Sequence, residues 1–106
     1  MKLAMPVYQN KLAPRFDCAE EFLIIDVGSG RVGERKVLRC RSDYPLERAT
    51  MLADSEADVI ICGAIDQYSN RILSVKGKQV YSWQSGEIED IIDKFVTSQY
   101  GAAIPP

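Results

Sequence analysis

Residues 58–66 read Asp-Val-Ile-Ile-Cys-Gly-Ala-Ile-Asp. A short apolar run, opened by a charge and closed by glycine, is the pattern of a strand buried on both faces of a parallel sheet. Asp66 then suits the N-cap of a helix over Gln67 to about Lys76, with Ile72, Leu73 and Val75 as its apolar positions and Gly77 as its stop. The next strand is predicted over Lys78–Trp83. A parallel strand joined to its neighbour by a helix commits the fold to α/β.

Working outward, Lys2–Tyr8 alternates, with Leu3, Met5 and Val7 on one face. Pro6 cannot donate to a ladder, so a gap or bulge is expected there. Gln9–Ala19 reads as a loop. Phe22–Val27 is nearly continuous apolar sequence ended by Gly28-Ser29-Gly30, a turn into a return strand over Glu34–Arg41 with Leu38 and Cys40 facing inward. Pro45 suits a first helical turn, followed by the stripe Leu46, Ala49, Leu52, Ala53. The last helix is predicted over Glu87–Tyr100, striped by Ile88, Ile91, Ile92, Phe95 and Val96 and stopped by Gly101. The predicted order is β-β-β-α-β-α-β-α. Two antiparallel hairpins and two α-linked parallel strands make a five-stranded mixed sheet with three helices. Residues 1–101 form one domain and 102–106 a frayed tail.

Composition limits the chemistry. The 106 residues, 46% hydrophobic and 26% charged, are ordinary globular usage. A net charge of −2 argues against a nucleic-acid binder, and no apolar run is long enough to span a bilayer. With no export signal before the first strand, a cytoplasmic protein is expected. The chain has no histidine, which excludes Ser-His-Asp and Cys-His catalysis. Its three cysteines, Cys18, Cys40 and Cys62, are an odd number with no C-x-x-C pair, so neither a disulfide framework nor a four-ligand zinc site is expected.

In such a sheet, ligands gather beyond the carboxyl ends of the strands, near a reversal of strand order. The loops Gln9–Ala19, Cys62–Asp66 and Ser82–Gly86 leave at that edge. Cys62 is followed by glycine and a helix start, where free backbone N–H groups and a positive dipole end favour thiolates and anions; the competing reading is a core cysteine. Cys18 lies on a polar loop beside Arg15 and Asp17, as a ligand or as an incidental surface thiol. Cys40 reads as core and Trp83 as sealing the sheet end. Arg31, Arg35, Lys36, Arg39 and Arg41, against Glu34 alone, read as a solvated edge strand, with contact to an acidic partner as the alternative. Enzyme motifs fail: a Cys-x5-Arg phosphatase loop would need arginine where Tyr68 stands, Gly28-Ser29-Gly30 lies in a hairpin rather than before a helix, and the first strand lacks the carboxylates of a metal-dependent nuclease.

Four segments, MKLAMPV, APRFDCAEEFLIIDV, ADVIICGAI and VYSWQSGEIEDIIDKF, together resemble the dinitrogenase iron-molybdenum cofactor biosynthesis family, of the NifX-like and NifB C-terminal-domain type. The resemblance covers nearly the whole chain in order. It implies a ribonuclease-H-like fold without nuclease activity, and a non-catalytic accessory role in binding, carrying or storing an iron–sulfur or molybdenum-containing cluster passed between donor and acceptor proteins. Cys62 and Cys18 are then the expected soft metal ligands, Arg15 a charge partner, and Gly63 and Ala64 backbone donors. The chain most resembles the branch with a Phe-Asp-x-Ala element and a Cys-Gly-Ala-Ile element, here Phe16–Ala19 and Cys62–Ile65. Many relatives have histidine where this chain has Arg15, and that branch often has cysteine where Ser85 precedes Gly86. Fewer ligands imply largely electrostatic binding, sharing between two protomers of a homodimer, or a lost ligand. The rivals are a metal-free interaction module and an enzyme using Cys62 as nucleophile on a small anion. The cluster reading requires the Cys62 and Cys18 thiols to meet at one rim of the fold.

Overall fold

The computed structural model describes residues 1–28 and 30–97. The elements are β1 (Lys2–Tyr8), β2 (Lys11–Leu12), a 3-10 turn (Phe16–Cys18), β3 (Glu21–Gly28), β4 (Arg31–Arg39), α1 (Glu47–Ala53), β5 (Val59–Ile61), α2 (Gln67–Val75), β6 (Gln79–Tyr81) and α3 (Ile88–Val96). The sheet order is β4-β3-β1-β5-β6, with the two-residue β2 paired to β1. β1 is antiparallel to β3 and parallel to β5, so the strand order reverses beside β1. The mixed α/β fold stands as predicted, with β2 and the 3-10 turn as additions inside the expected loop 9–19.

Side-chain alternation divides the core in two. Ala4, Phe22, Ile24, Ile60 and Cys62 face α1 and α2, where Ala49, Leu52, Ala53 and Leu73 meet them. Leu3, Met5, Ile25, Val27, Val59 and Ile61 face α3 through Ile88, Ile91 and Ile92. Because every central strand is covered on both faces, its sequence is apolar at nearly every position.

Pro6 breaks nothing. It pairs opposite Phe22 in an unbroken β1–β3 register. The Lys2 amide and carbonyl both point toward the β5 side, and the Pro6 carbonyl accepts from the Ala13 amide at 2.8 Å on that same side. The missing donor therefore lies off the β3 ladder, beyond the last β1–β5 pair, Ala4 with Ile60. The bulge sits instead between Ile25 and Val27, which lets β4 start at Arg31 rather than Glu34.

Three helical expectations change at their ends. Leu46 is the N-cap of α1 and half-exposed, so Pro45 lies ahead of the helix. Asp66 caps α2 as predicted, its carboxylate accepting from the Ser69 amide at 2.9 Å, yet Val75 is 78% exposed. α3 closes at Val96 with Thr97 as C-cap; the expected stop at Gly101 and the tail 102–106 lie outside the described residues. No described helix is long and apolar enough to cross a membrane.

Candidate functional site

The three loops leaving β1, β5 and β6 meet at one rim and are joined there by their own main chains. The Ala64 amide donates to the Pro14 carbonyl at 2.9 Å, and the Phe16 amide donates to the Ala64 carbonyl at 2.9 Å. The Trp83 amide donates to the Gly63 carbonyl and the Gln84 amide to the Cys62 carbonyl. Leu12 donates to the Gly86 carbonyl, and Ile88 to that of Asn10. The Ala64 N–H, expected as a free donor for an anion, is therefore already used between loops. Gly63 has a different task from the one expected: a Cβ there would lie 2.5 Å from the Pro14 carbonyl oxygen and 3.0 Å from that of Ala13. Glycine permits the backbones to approach this closely.

The two thiols do not share a surface, so the expected cluster site with both Cys62 and Cys18 as ligands does not form, and Cys18 alone is left to meet a cargo. Cys62 is 0% exposed, packed in the cluster that holds Ala13, Phe16 and Ala19, and burial pushes its thiol up to about 12. The dipole end that could have favoured a thiolate is outweighed by desolvation. Cys40 is buried as predicted, and Cys18 is exposed.

The raised Cys62 value has a testable consequence. Between an unfolded value near 9 and the folded value of about 12, the unfolded chain holds fewer protons, so stability falls as pH rises through that window. The slope contributed by this one group is about 1.4 kcal/mol per pH unit, up to about 4 kcal/mol in all. Urea unfolding of the reduced protein from pH 8 to 11 is expected to show this loss, and Cys62→Ala to show a shallower decline.

Cys18 opens onto a groove of about 720 Å³, whose lining includes Tyr8, Gln9, Arg15, Cys18, Glu20 and Arg41. Arg15 forms a bidentate pair with Asp17, Nε to Oδ1 at 3.1 Å and Nη2 to Oδ2 at 2.8 Å. That pair holds the Asp17 carboxyl below its usual range, aided by the Cys18 thiol. Gln9, on the groove wall, has φ +58°, a conformation uncommon outside glycine that re-aims the chain as it leaves β1. Trp83, at φ +62°, is 78% exposed and does not seal the sheet end. The groove thus presents one accessible sulfur, the guanidinium groups of Arg15, paired with Asp17, and Arg41, and the carboxylates of Glu20 and Glu21, the latter paired with Arg39.

Arg41 is the residue that the sequence reading placed elsewhere, on a solvated edge. Carried two residues past the last ladder pair, Glu21 with Arg39, the β3–β4 register sets Arg41 opposite Ala19 and so beside Cys18. The Cys40 amide, donating to the Glu20 carbonyl at 2.9 Å, confirms that register. Counting back from the Gly28-Ser29-Gly30 turn was the available signal, good to one residue because of the register shift between Ile25 and Val27. Behind the groove lies Arg48 of α1, 7% exposed, whose guanidinium donates to the carbonyls of Ala19, Ser42 and Cys40. It clasps the two segments that carry Cys18 and Arg41.

A mixed sheet reversing at β1, with a groove beside the reversal, defines a mixed α/β domain. The chain belongs to the dinitrogenase iron-molybdenum cofactor family, whose sequence profile matches residues 1–98. It is similar to the protein MJ0580 of Methanocaldococcus jannaschii, 23% identical over 101 residues that cover 91% of this chain and 86% of that one. Among solved structures it is similar to PH0822, with TM-score 0.86 at 18% identity, covering 92% of this chain and 90% of the other. It is also similar to the apo form of the orange protein from Desulfovibrio gigas, with TM-score 0.73 at 18% identity, covering 92% and 88%. At these identities the structural likeness shows the fold.

Proposed function

We propose that this protein is a non-catalytic accessory of iron-molybdenum cofactor chemistry, binding and carrying an anionic metal–sulfur cluster as cargo on a ribonuclease-H-like scaffold. The observation that carries the reading is the groove whose lining holds exposed Cys18 together with Arg15 and Arg41. A thiolate supplies one soft bond, and two guanidinium groups supply charge-assisted hydrogen bonds to an anion's periphery. Cys62, Gly63 and Ala64 act beneath it, as the packed and hydrogen-bonded floor that fixes the loop carrying Arg15 and Cys18.

The residues fit a cargo held at one point better than a resident cluster. Resident iron–sulfur clusters are usually held by four cysteines, whereas a single thiol faces this groove. Among the described residues no group of three or more His, Cys, Asp or Glu side chains is placed to hold a metal ion. One protein bond leaves the rest of the cargo open to an acceptor, as a carrier requires. Two protomers sharing one cluster would double the thiols, and donor or acceptor proteins are the natural partners.

Anaerobic incubation with iron, sulfide and molybdate tests the proposal. Visible absorption with stoichiometric metal is expected, abolished in Cys18→Ser and retained in Cys62→Ala. Arg15→Gln and Arg41→Gln are each expected to weaken retention by about tenfold, as losses of charge-assisted hydrogen bonds do. Protein that stays colourless and metal-free, yet binds a partner, would establish the interaction module instead.

A further inference from the structure

We propose that the outer face of α2, with the start of α1, is a docking groove for an acidic amphipathic helix of a partner protein. Leu73 and the buried Ser69 of α2 face the core, and Ile72, half-buried, packs partly against it. Tyr68, Ile72 and Val75, at helical positions i, i+4 and i+7, also line the outer side. Tyr68 is 64% exposed and Val75 78%, and Leu46 at the α1 N-cap forms the facing wall. Between them runs a cleft of about 300 Å³ lined by Leu46, Tyr68, Arg71, Ile72, Val75 and Lys76. It shares no lining residue with the rim groove, so it stands independently of the cluster reading.

Charge selects the occupant. The cleft's fully charged lining groups are Arg71 and Lys76, both cationic, in a chain whose net charge is −2. Among the described residues neither has a carboxylate ion-pair partner, whereas Arg15, Arg35 and Arg39 each do. A second copy docked by twofold symmetry would bring the same two cations together, which disfavours self-association. A helix with apolar residues at i, i+3 or i+4, and i+7 and with glutamates on its flanks satisfies both the stripe and the cations. The cleft is small, so the contact is a weak, reversible one.

The probe is a 16-residue synthetic peptide with three leucines at i, i+4 and i+7 and glutamates flanking them, titrated into the isotope-labelled full chain. Expected are amide shift changes centred on Leu46, Tyr68, Arg71, Ile72 and Val75, with binding that weakens as salt rises. Val75→Glu, and separately Arg71→Glu with Lys76→Glu, should each weaken binding by about tenfold or more. Because Val75 is exposed, Val75→Glu should keep the circular dichroism spectrum and thermal midpoint of the parent. The proposal is overturned by equal binding of a lysine-flanked peptide, or by the absence of shifts at millimolar peptide. Concentration-dependent dimerisation through the same residues would also overturn it, marking the face as a self-interface.

Discussion

Arg48→Met is expected to lower the stability of this protein by about 4 kcal/mol, the scale for removing one partner from a buried charged network. The substitution nearly conserves volume, so the loss isolates hydrogen bonding from packing. Arg48 is almost fully buried, and its guanidinium satisfies the carbonyls of Ala19, Cys40 and Ser42. Methionine offers no donor, leaving buried oxygens without one. Arg48→Lys should fall between the two, since an ammonium on a flexible stem cannot reproduce the planar fork. Urea unfolding gives the stability, and a domain of this size has about 5–15 kcal/mol in total. Cluster uptake should also fall below the unfolding temperature, because Arg48 fixes the segments bearing Cys18 and Arg41. Unchanged stability in Arg48→Met would refute this role.

Gly63→Ala should have the other large effect, about 3 kcal/mol of destabilisation from overpacking. The added Cβ would meet the backbone of Pro14 and Ala13, which cannot rotate aside as a flexible side chain would. Relief requires the 13–16 loop to move off the β5 loop, weakening the hydrogen bonds between Ala64 and Pro14 and between Phe16 and Ala64. Faster amide exchange at Ala64 and Phe16 would accompany the lower unfolding midpoint. Gly28→Ala is the control: a Cβ there meets nothing within 4 Å, and its effect should stay within about 0.5 kcal/mol.

These two residues also mark where sequence reasoning reached its limit. Elements built from local patterns were legible: the apolar run at Val59–Ile61, the Asp66 cap, and the α3 stripe of Ile88, Ile91 and Ile92. The mixed sheet followed from chain order alone. Errors arose where a residue's environment comes from a distant segment. Val75 satisfies the helical period yet faces solvent, because no described residue packs over it. Trp83 reads as a plug because of its size, but its positive φ turns it outward.

The site was legible in its position and only partly in its chemistry. The three loops do meet where the strand order reverses, and Arg15 and Cys18 do line the groove. The Cys62 thiol points the other way because β5 alternates: Ile60 and Cys62 face α1 and α2, while Val59 and Ile61 face α3. Arg41 was assigned to a solvated edge because its neighbour across the sheet, Ala19, lies 22 positions earlier in the chain. Arg48 carried no local signal at all, since a basic residue on a short helix reads as solvent-facing by default.

The seam at the rim has an evolutionary corollary. Amide and carbonyl groups are common to nearly every amino acid, so a junction built from them tolerates exchange of the side chains it displays. The side chain at position 15, between Pro14 and Phe16, can then change while the hydrogen bonds that both neighbours make to Ala64 stay the same.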